Sequence, residues 1–295
     1  MSDYHIASVS FGKDSLHMLL RLLEIGASLD EVVFYDTGME FKAIYDIRDR
    51  VIPMLAKRGI KYTELYPEYD FEWKMFNKPV CPRGVKKACN ICVFCKDVKY
   101  NASICTNPQS RHYLQPYDSG TLPWAKDCKQ WDGGLKYGYS WCGGCCRWGT
   151  TDKLAALDRY TESKNAIAYI GIAADEAARI NKRRKEYKRL PLAEWGMTEA
   201  EALAGCYAAG FDWRENGVRL YDILDRVSCC CCANKNLREL KNIYRFLPEY
   251  WERLKGLQSR TCRPMKGEGK SVFDLEKRFA AEIEKERRQS KCQIK

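Results

Sequence analysis

The stretch Val9-Ser10-Phe11-Gly12-Lys13-Asp14-Ser15 decides the fold. It follows the apolar run His5-Ile6-Ala7-Ser8-Val9 and precedes a helical pattern that puts Leu16, Leu19, Leu20 and Leu23 on one face. Strand, tight loop and helix is the geometry in which backbone N–H groups and a helix N-terminus converge on a phosphate. Gly12 lets the backbone approach closely, Ser10 and Ser15 bring hydroxyls, and Lys13 brings positive charge. The spacing is not that of the Walker loop, which needs four residues between its glycine and its Gly-Lys-Ser/Thr.

Outward from the loop, Glu31-Val32-Val33-Phe34-Tyr35 reads as a buried strand ended by Asp36-Thr37-Gly38, and Lys61 to Tyr66 as a third strand. Short apolar runs alternating with helical patterns predict a parallel sheet, whose ligands sit at the carboxyl ends of the strands. Asp36 therefore falls on the same sheet edge as Ser10 to Ser15, as a ligand-facing carboxylate or as a turn former. Residues 70–140 break the pattern; they are rich in Cys, Pro, Gly, Trp and Tyr and read as an insertion over the carboxyl edge. A helix near Lys153 to Thr161 and a strand over Ala166 to Ile172 restore it. Thr198 and Glu201 make a capping box for a helix over 197–210, which Gly210 ends. Helices follow over Asn236 to Phe246 and Pro248 to Leu257. A last one starts at Ser271 with Asp274 in the capping position and a stripe of Val272, Leu275, Phe279 and Ile283. The tail after Lys285 is charged and expected to fray. The expected architecture is α/β: a Rossmann-like parallel sheet flanked by helices in a nucleotide-binding domain over 1–235, then a helical C-terminal region over 236–295.

The 295 residues suffice for one large α/β domain or two small ones, and 45% hydrophobic residues supply a core. No apolar run approaches a membrane span and no signal-peptide pattern opens the chain, so the expected setting is cytoplasmic, with no membrane partner. A net charge of +11 favours an anionic partner, nucleotide or nucleic acid, against the alternative of a solvated basic face around runs such as Lys182-Arg183-Arg184-Lys185. Sixteen cysteines in a long chain with a nucleotide loop suggest metal or redox chemistry rather than a disulfide scaffold.

The loop Ser10-Phe11-Gly12-Lys13-Asp14-Ser15 resembles the S-x-G-x-D-S loop of the PP-loop nucleotide enzymes. Together with Asp36-Thr37-Gly38 it resembles the phosphoadenosine phosphosulfate (PAPS) reductase family within that group. The cysteines add to this. Cys145-Cys146, with Lys153-Leu154-Ala155-Ala156-Leu157 shortly after, precede Cys229 and Cys232 in the manner of the iron–sulfur adenylyl-sulfate reductases. That resemblance implies Cys145, Cys146, Cys229 and Cys232 as ligands of a 4Fe–4S cluster. Cys142, Cys230 and Cys231 leave other assignments open, including a zinc site on Cys142, Cys145, Cys229 and Cys232. Cys81, Cys89, Cys92 and Cys95 are candidates for a second, structural metal, zinc ahead of a second cluster. Gly171, Asp175 or Glu176, and Arg179 are similar to the G-x-R-x-D/E-x-S-x-x-R segment of sulfonucleotide reductases. Asp175 and Glu176 are read as helpers of a metal–triphosphate or as a general base, or as helix N-terminal caps. Ala173 and Ala174 stand where that segment carries its arginine pair. Reductases of the family end in Glu-Cys-Gly-Ile/Leu-His, whereas this chain ends Lys291-Cys292-Gln293-Ile294-Lys295; Cys292 is a candidate nucleophile or an incidental thiol.

Three functions are carried forward. The first is an enzyme that binds ATP, with Mg2+, through Ser10, Gly12, Lys13, Asp14, Ser15, Asp36, Thr37 and Gly38, adenylylates an oxygen and replaces it with sulfur. Its analogues are iron–sulfur PP-loop enzymes that thiolate tRNA or act in DNA phosphorothioation, and it implies tRNA, DNA or a sulfur-donor protein as partner. The second is a thiol-dependent reductase of a sulfonucleotide, using Cys292. The third is an iron–sulfur nucleotide-binding regulator without turnover.

Overall fold

In a computed structural model the described residues are 4–80, 131–132, 135–142, 144, 146–182 and 185–293. The chain divides into two compact units, Met1–Glu68 with Gly149–Cys232, and Tyr69–Trp148 with Ala233–Lys295. The segment read as an insertion thus groups with the C-terminal helices.

The first unit is built on a five-stranded parallel sheet. Its strands are β1 (His5–Ser8), β2 (Glu31–Tyr35), β3 (Lys61–Leu65), β4 (Ile167–Ile170) and β5 (Lys188–Arg189), in spatial order β3-β2-β1-β4-β5. The register Ala7↔Val32 and Ala7↔Tyr169 puts β1 at the centre, and Val33↔Thr63 places β3 at one edge. Every residue of β2 is buried, as expected for a continuous apolar strand in a sheet covered on both faces. Around it lie α1 (Lys13–Glu24), α2 (Lys42–Ala56), α3 (Asp152–Ser163) and α4 (Glu199–Ala208). The Thr198–Glu201 capping box forms as expected at the start of α4.

The exception in β2 is Glu31, a carboxylate with no exposed surface. A buried charge must be paired. Lys61 Nζ lies 2.9 Å from it, the Tyr160 and Tyr4 hydroxyls donate at 2.7 and 3.1 Å, and the Thr63 hydroxyl donates to it as well. Burial alone would raise the Glu31 pKa, but these bonds outweigh it and hold it below the ordinary carboxylate value.

Helix α1 corrects one expectation. Leu16 and Leu19 are buried, but Met18 and Leu22 complete the buried arc, while Leu20 and Leu23 are only half-buried. The arc is rotated because α1 also packs closely on α4. At their crossing a Cβ on Gly205 would stand 2.1 Å from His17 Cε1, so glycine there makes room for the His17 ring between the two helices.

In the second unit, Leu135–Tyr137 pairs antiparallel with Pro79–Val80 on one side and Trp131–Asp132 on the other. Helices α5 (Leu237–Phe246), α6 (Pro248–Gln258) and α7 (Val272–Gln293) complete it. Asn236 and Glu239 form a capping box on α5. Ser271 and Asp274 cap α7 reciprocally. Val272, Leu275, Phe279 and Ile283 are buried as expected, with Phe279 5.8 Å from Trp251. The tail differs from expectation: α7 runs on through Gln293. Its Arg278–Glu282 and Glu284–Arg288 pairs, four residues apart, support a charged helix. No helix among the described residues is long and apolar enough to cross a membrane.

Candidate functional site

The site candidate lies in the first unit, where β1 ends and α1 begins. Phe11 turns the chain at φ +55°, a conformation that L side chains rarely adopt. Such a residue costs on the order of 1–3 kcal/mol and persists only when its surroundings hold it. Here the ring is fully buried, edge-on to Phe34 at 5.2 Å, and the Trp213 indole N–H donates to the Phe11 carbonyl at 2.8 Å. The turn aims the next residues at the carboxyl edge of the sheet. Gly12 is the N-cap of α1 and offers no capping side chain.

The loop is closed by its own hydroxyls. Ser15 Oγ accepts from the Ser10 amide at 3.0 Å and lies 3.0 Å from Ser10 Oγ. The Lys13 amide donates to the Tyr221 hydroxyl at 2.8 Å. The next two amides of the helix, those of Asp14 and Ser15, have no acceptor among the described residues, as first-turn amides do without a ligand or cap. Gly171, at the end of β4, runs directly against this turn: a Cβ there would lie 2.7 Å from Ser15 Cα and 2.8 Å from Ser15 N.

Beside the loop is a cavity of about 210 Å3 lined by Ser10, Gly12, Lys13, Asp14, Glu176 and Tyr221, among others. A second, of about 180 Å3, shares Ser10, Ser15, Gly171 and Arg179 and adds Lys153 and Lys188. Lys13 is nearly buried, its ammonium donating to Asp14 at 2.7 Å and to Glu199 at 2.8 Å. Burial raises the Asp14 pKa, and Glu199 and Glu176 add to the rise, against the lowering effect of Lys13. Lys153 on α3 is half-buried; burial pulls its ammonium below the ordinary value, opposed by Glu40, Asp36 and Cys229.

The other expected residues are placed as follows. Asp36 Oδ1 accepts from the Gly38 amide and the Tyr45 hydroxyl, both at 2.7 Å, so it holds its own turn. Thr37 donates to Glu40 at 3.0 Å. Glu176 is bonded twice by Arg179, at 2.6 and 2.8 Å, and both reach the larger cavity. Asp175 instead accepts from the Glu199 amide at 3.0 Å, anchoring the start of α4. Ala173 is fully buried. Glu199, Trp213 and Tyr221 had no signal in the sequence, since each reaches the loop from about two hundred residues away.

The cysteines fall into both units. In the first, the Cys229–Cys232 run is tied to the end of the Asp36–Gly38 turn by the Cys230 amide, which donates to the Met39 carbonyl at 2.8 Å. Cys230 and Cys231 are buried, while Cys229 and Cys232 are half-buried. Cys229 Sγ lies 3.2 Å from Cys231 Sγ. Soft thiol donors in this density suit iron–sulfur or zinc chemistry, and the half-buried pair Cys229 and Cys232 is the more available for ligation. In the second unit Cys142 is half-buried and Cys146 buried, and Cys292 lies within α7. Cys145, Cys81, Cys89, Cys92 and Cys95 lie outside the described residues. No group of three or more His, Cys, Asp or Glu is arranged to hold a metal among the described residues.

No protein-family model matches the chain. No curated protein matches it. Among solved structures it is similar to the U34-tRNA thiolase NcsA from Methanococcus maripaludis with its 4Fe-4S cluster. The identity is 13%, over 96% of this chain and 74% of that one, with a TM-score of 0.38. A likeness at that level carries no weight for fold or function.

Proposed function

We propose that the chain is a PP-loop-type enzyme that binds ATP at the Ser10–Ser15 loop, adenylylates an oxygen of its substrate and exchanges that oxygen for sulfur. The observation that carries this reading is the strand–loop–helix turn whose Asp14 and Ser15 amides have no acceptor among the described residues, beside a cavity of about 210 Å3 at the carboxyl edge of a parallel sheet. A helix N-terminus with open amides is an anion site. Lys13 would exchange its contacts with Asp14 and Glu199 for phosphate oxygens, and those carboxylates would be left to meet Mg2+. Catalysis is then mainly positioning and charge neutralisation on the phosphates.

The thiolates proposed to hold the cluster are those of the sequence pattern, Cys145, Cys146, Cys229 and Cys232. Bound there, a 4Fe–4S cluster supplies redox and sulfide-carrying chemistry. The basic charge of +11 suits a nucleic acid, tRNA or DNA, as the sulfur acceptor. Sulfonucleotide reduction is the less favoured reading. Ala173, where the reductases carry arginine, is buried, and Cys292 belongs to a helix rather than a loose tail.

Titration calorimetry with ATP tests the loop. A Cβ on Gly12 would make only an ordinary contact, 3.4 Å from the Tyr221 hydroxyl, so Gly12→Val should disturb phosphate approach more than the fold. The expected result is binding by the wild type, none by Gly12→Val and weaker binding by Lys13→Ala. Wild-type binding that both changes leave intact would overturn the reading.

A further inference from the structure

Tyr221 reaches the loop from the short turn Leu220–Ile223 and meets the first amide of α1, Lys13 N, at 2.8 Å. Because Gly12 has no capping side chain, the phenol oxygen does the work of the cap. That task uses only a lone pair of the oxygen. A hydroxyl has a proton to donate as well. Among the described residues that proton has no acceptor: the only hydrogen bond of the Tyr221 hydroxyl is the one it accepts from Lys13. Asp14, the residue after Lys13, is bound to Lys13 Nζ instead.

The ring is fixed. It stands edge-on to Trp213, with centroids 4.9 Å apart and planes at 87°, and Trp213 is itself bonded to the Phe11 carbonyl. The same aromatic pair therefore holds both the strained turn and the phenol. Tyr221 lines the larger cavity with Ser10, Gly12 and Asp14. Burial holds its pKa above the ordinary phenol value.

We propose that Tyr221 is a phosphate-contacting residue: its hydroxyl accepts from the Lys13 amide and passes its own proton as a hydrogen bond to a phosphate oxygen of the bound nucleotide. This role rests on the nucleotide reading of the loop. It adds a neutral donor to a loop whose lysine, Lys13, is already shared by two carboxylates.

Tyr221→Phe removes the hydroxyl and keeps the ring against Trp213. ATP and adenosine binding are measured by calorimetry for wild type and variant, with the ligand-free melting temperature as the check on folding. A hydrogen bond to a charged group lost here should weaken ATP about tenfold or more and leave adenosine binding unchanged. Equal weakening of ATP and adenosine would make Tyr221 a structural cap and overturn the proposal. So would an unchanged ATP affinity in the variant. A wild type that binds no ATP would instead overturn the nucleotide reading of the loop, and this role with it.

Discussion

Replacing Gly171 by alanine puts one methyl group where the end of β4 meets the loop. The added carbon would lie 2.7 Å from Ser15 Cα, 2.8 Å from Ser15 N and 3.0 Å from Asp14 C. All three are backbone atoms, so no side chain can swing away. Carbon atoms pack at about 3.5–4.0 Å, so strand and loop must separate by about 1 Å. Overpacking of this kind costs about 1–3 kcal/mol. For a domain this large each kcal/mol lowers the melting temperature by about 2–4 °C, so the expected loss is roughly 2–12 °C. The effect on nucleotide binding should be larger than the effect on stability. The amides of Asp14 and Ser15 are the atoms displaced, and a misplacement of about 1 Å can cost a site about a hundredfold. Thermal melting and ATP calorimetry on Gly171→Ala read the two effects. Gly12→Ala is the control for melting alone, because its methyl makes only ordinary contacts, 3.4 Å from the Tyr221 hydroxyl and 3.7 Å from Ser10 Oγ and the Val227 carbonyl. A Gly171→Ala protein that melts and binds ATP like the wild type would refute the close approach.

Glu31 supplies a pH test. Its folded pKa is held below the ordinary value of 4.5, so its stabilisation is complete above that value and is lost as pH falls through the folded pKa. Glu31→Gln should lower stability by about 1–3 kcal/mol at neutral pH and remove part of the acid-side loss, read as melting temperature against pH; parallel curves would refute it. Anaerobically purified protein should be brown with about four iron per chain, and Cys229→Ala or Cys232→Ala should bleach it. A colourless protein containing only zinc would remove the redox part of the proposed function and leave the nucleotide part standing.

The elements governed by local chemistry were legible in the sequence. β2 shows as the apolar run Val32–Tyr35 behind Glu31. The Thr198–Glu201 box and the Ser271–Asp274 pair marked two helix starts, because a cap is a short-range hydrogen bond between residues three apart. The buried arc of α1 differs from its leucine stripe because a second helix, α4, packs on it, and a helical repeat does not say how many neighbours a helix has. The charge of the C-terminal tail suggests fraying, whereas its opposite charges four residues apart extend the helix. In the site, Gly12, Lys13 and Ser15 were readable from the loop itself. Trp213, Tyr221 and Glu199 were not, because their partners lie at Phe11 and Lys13 and only the tertiary fold joins them. Asp175 and Glu176 could not be told apart by spacing; the structure separates them, one on the start of α4 and one on Arg179 at the cavity.

Turnover tests the central claim most directly. Anaerobically purified protein is incubated separately with ATP, Mg2+ and bulk tRNA or DNA as the acceptor to be adenylylated, and with a sulfonucleotide, and pyrophosphate, AMP and sulfite are measured. An enzyme that activates oxygen by adenylylation should release pyrophosphate or AMP from ATP, should lose that release in Lys13→Ala, and should form no sulfite. Sulfite from the sulfonucleotide, with no product from ATP, would contradict the account.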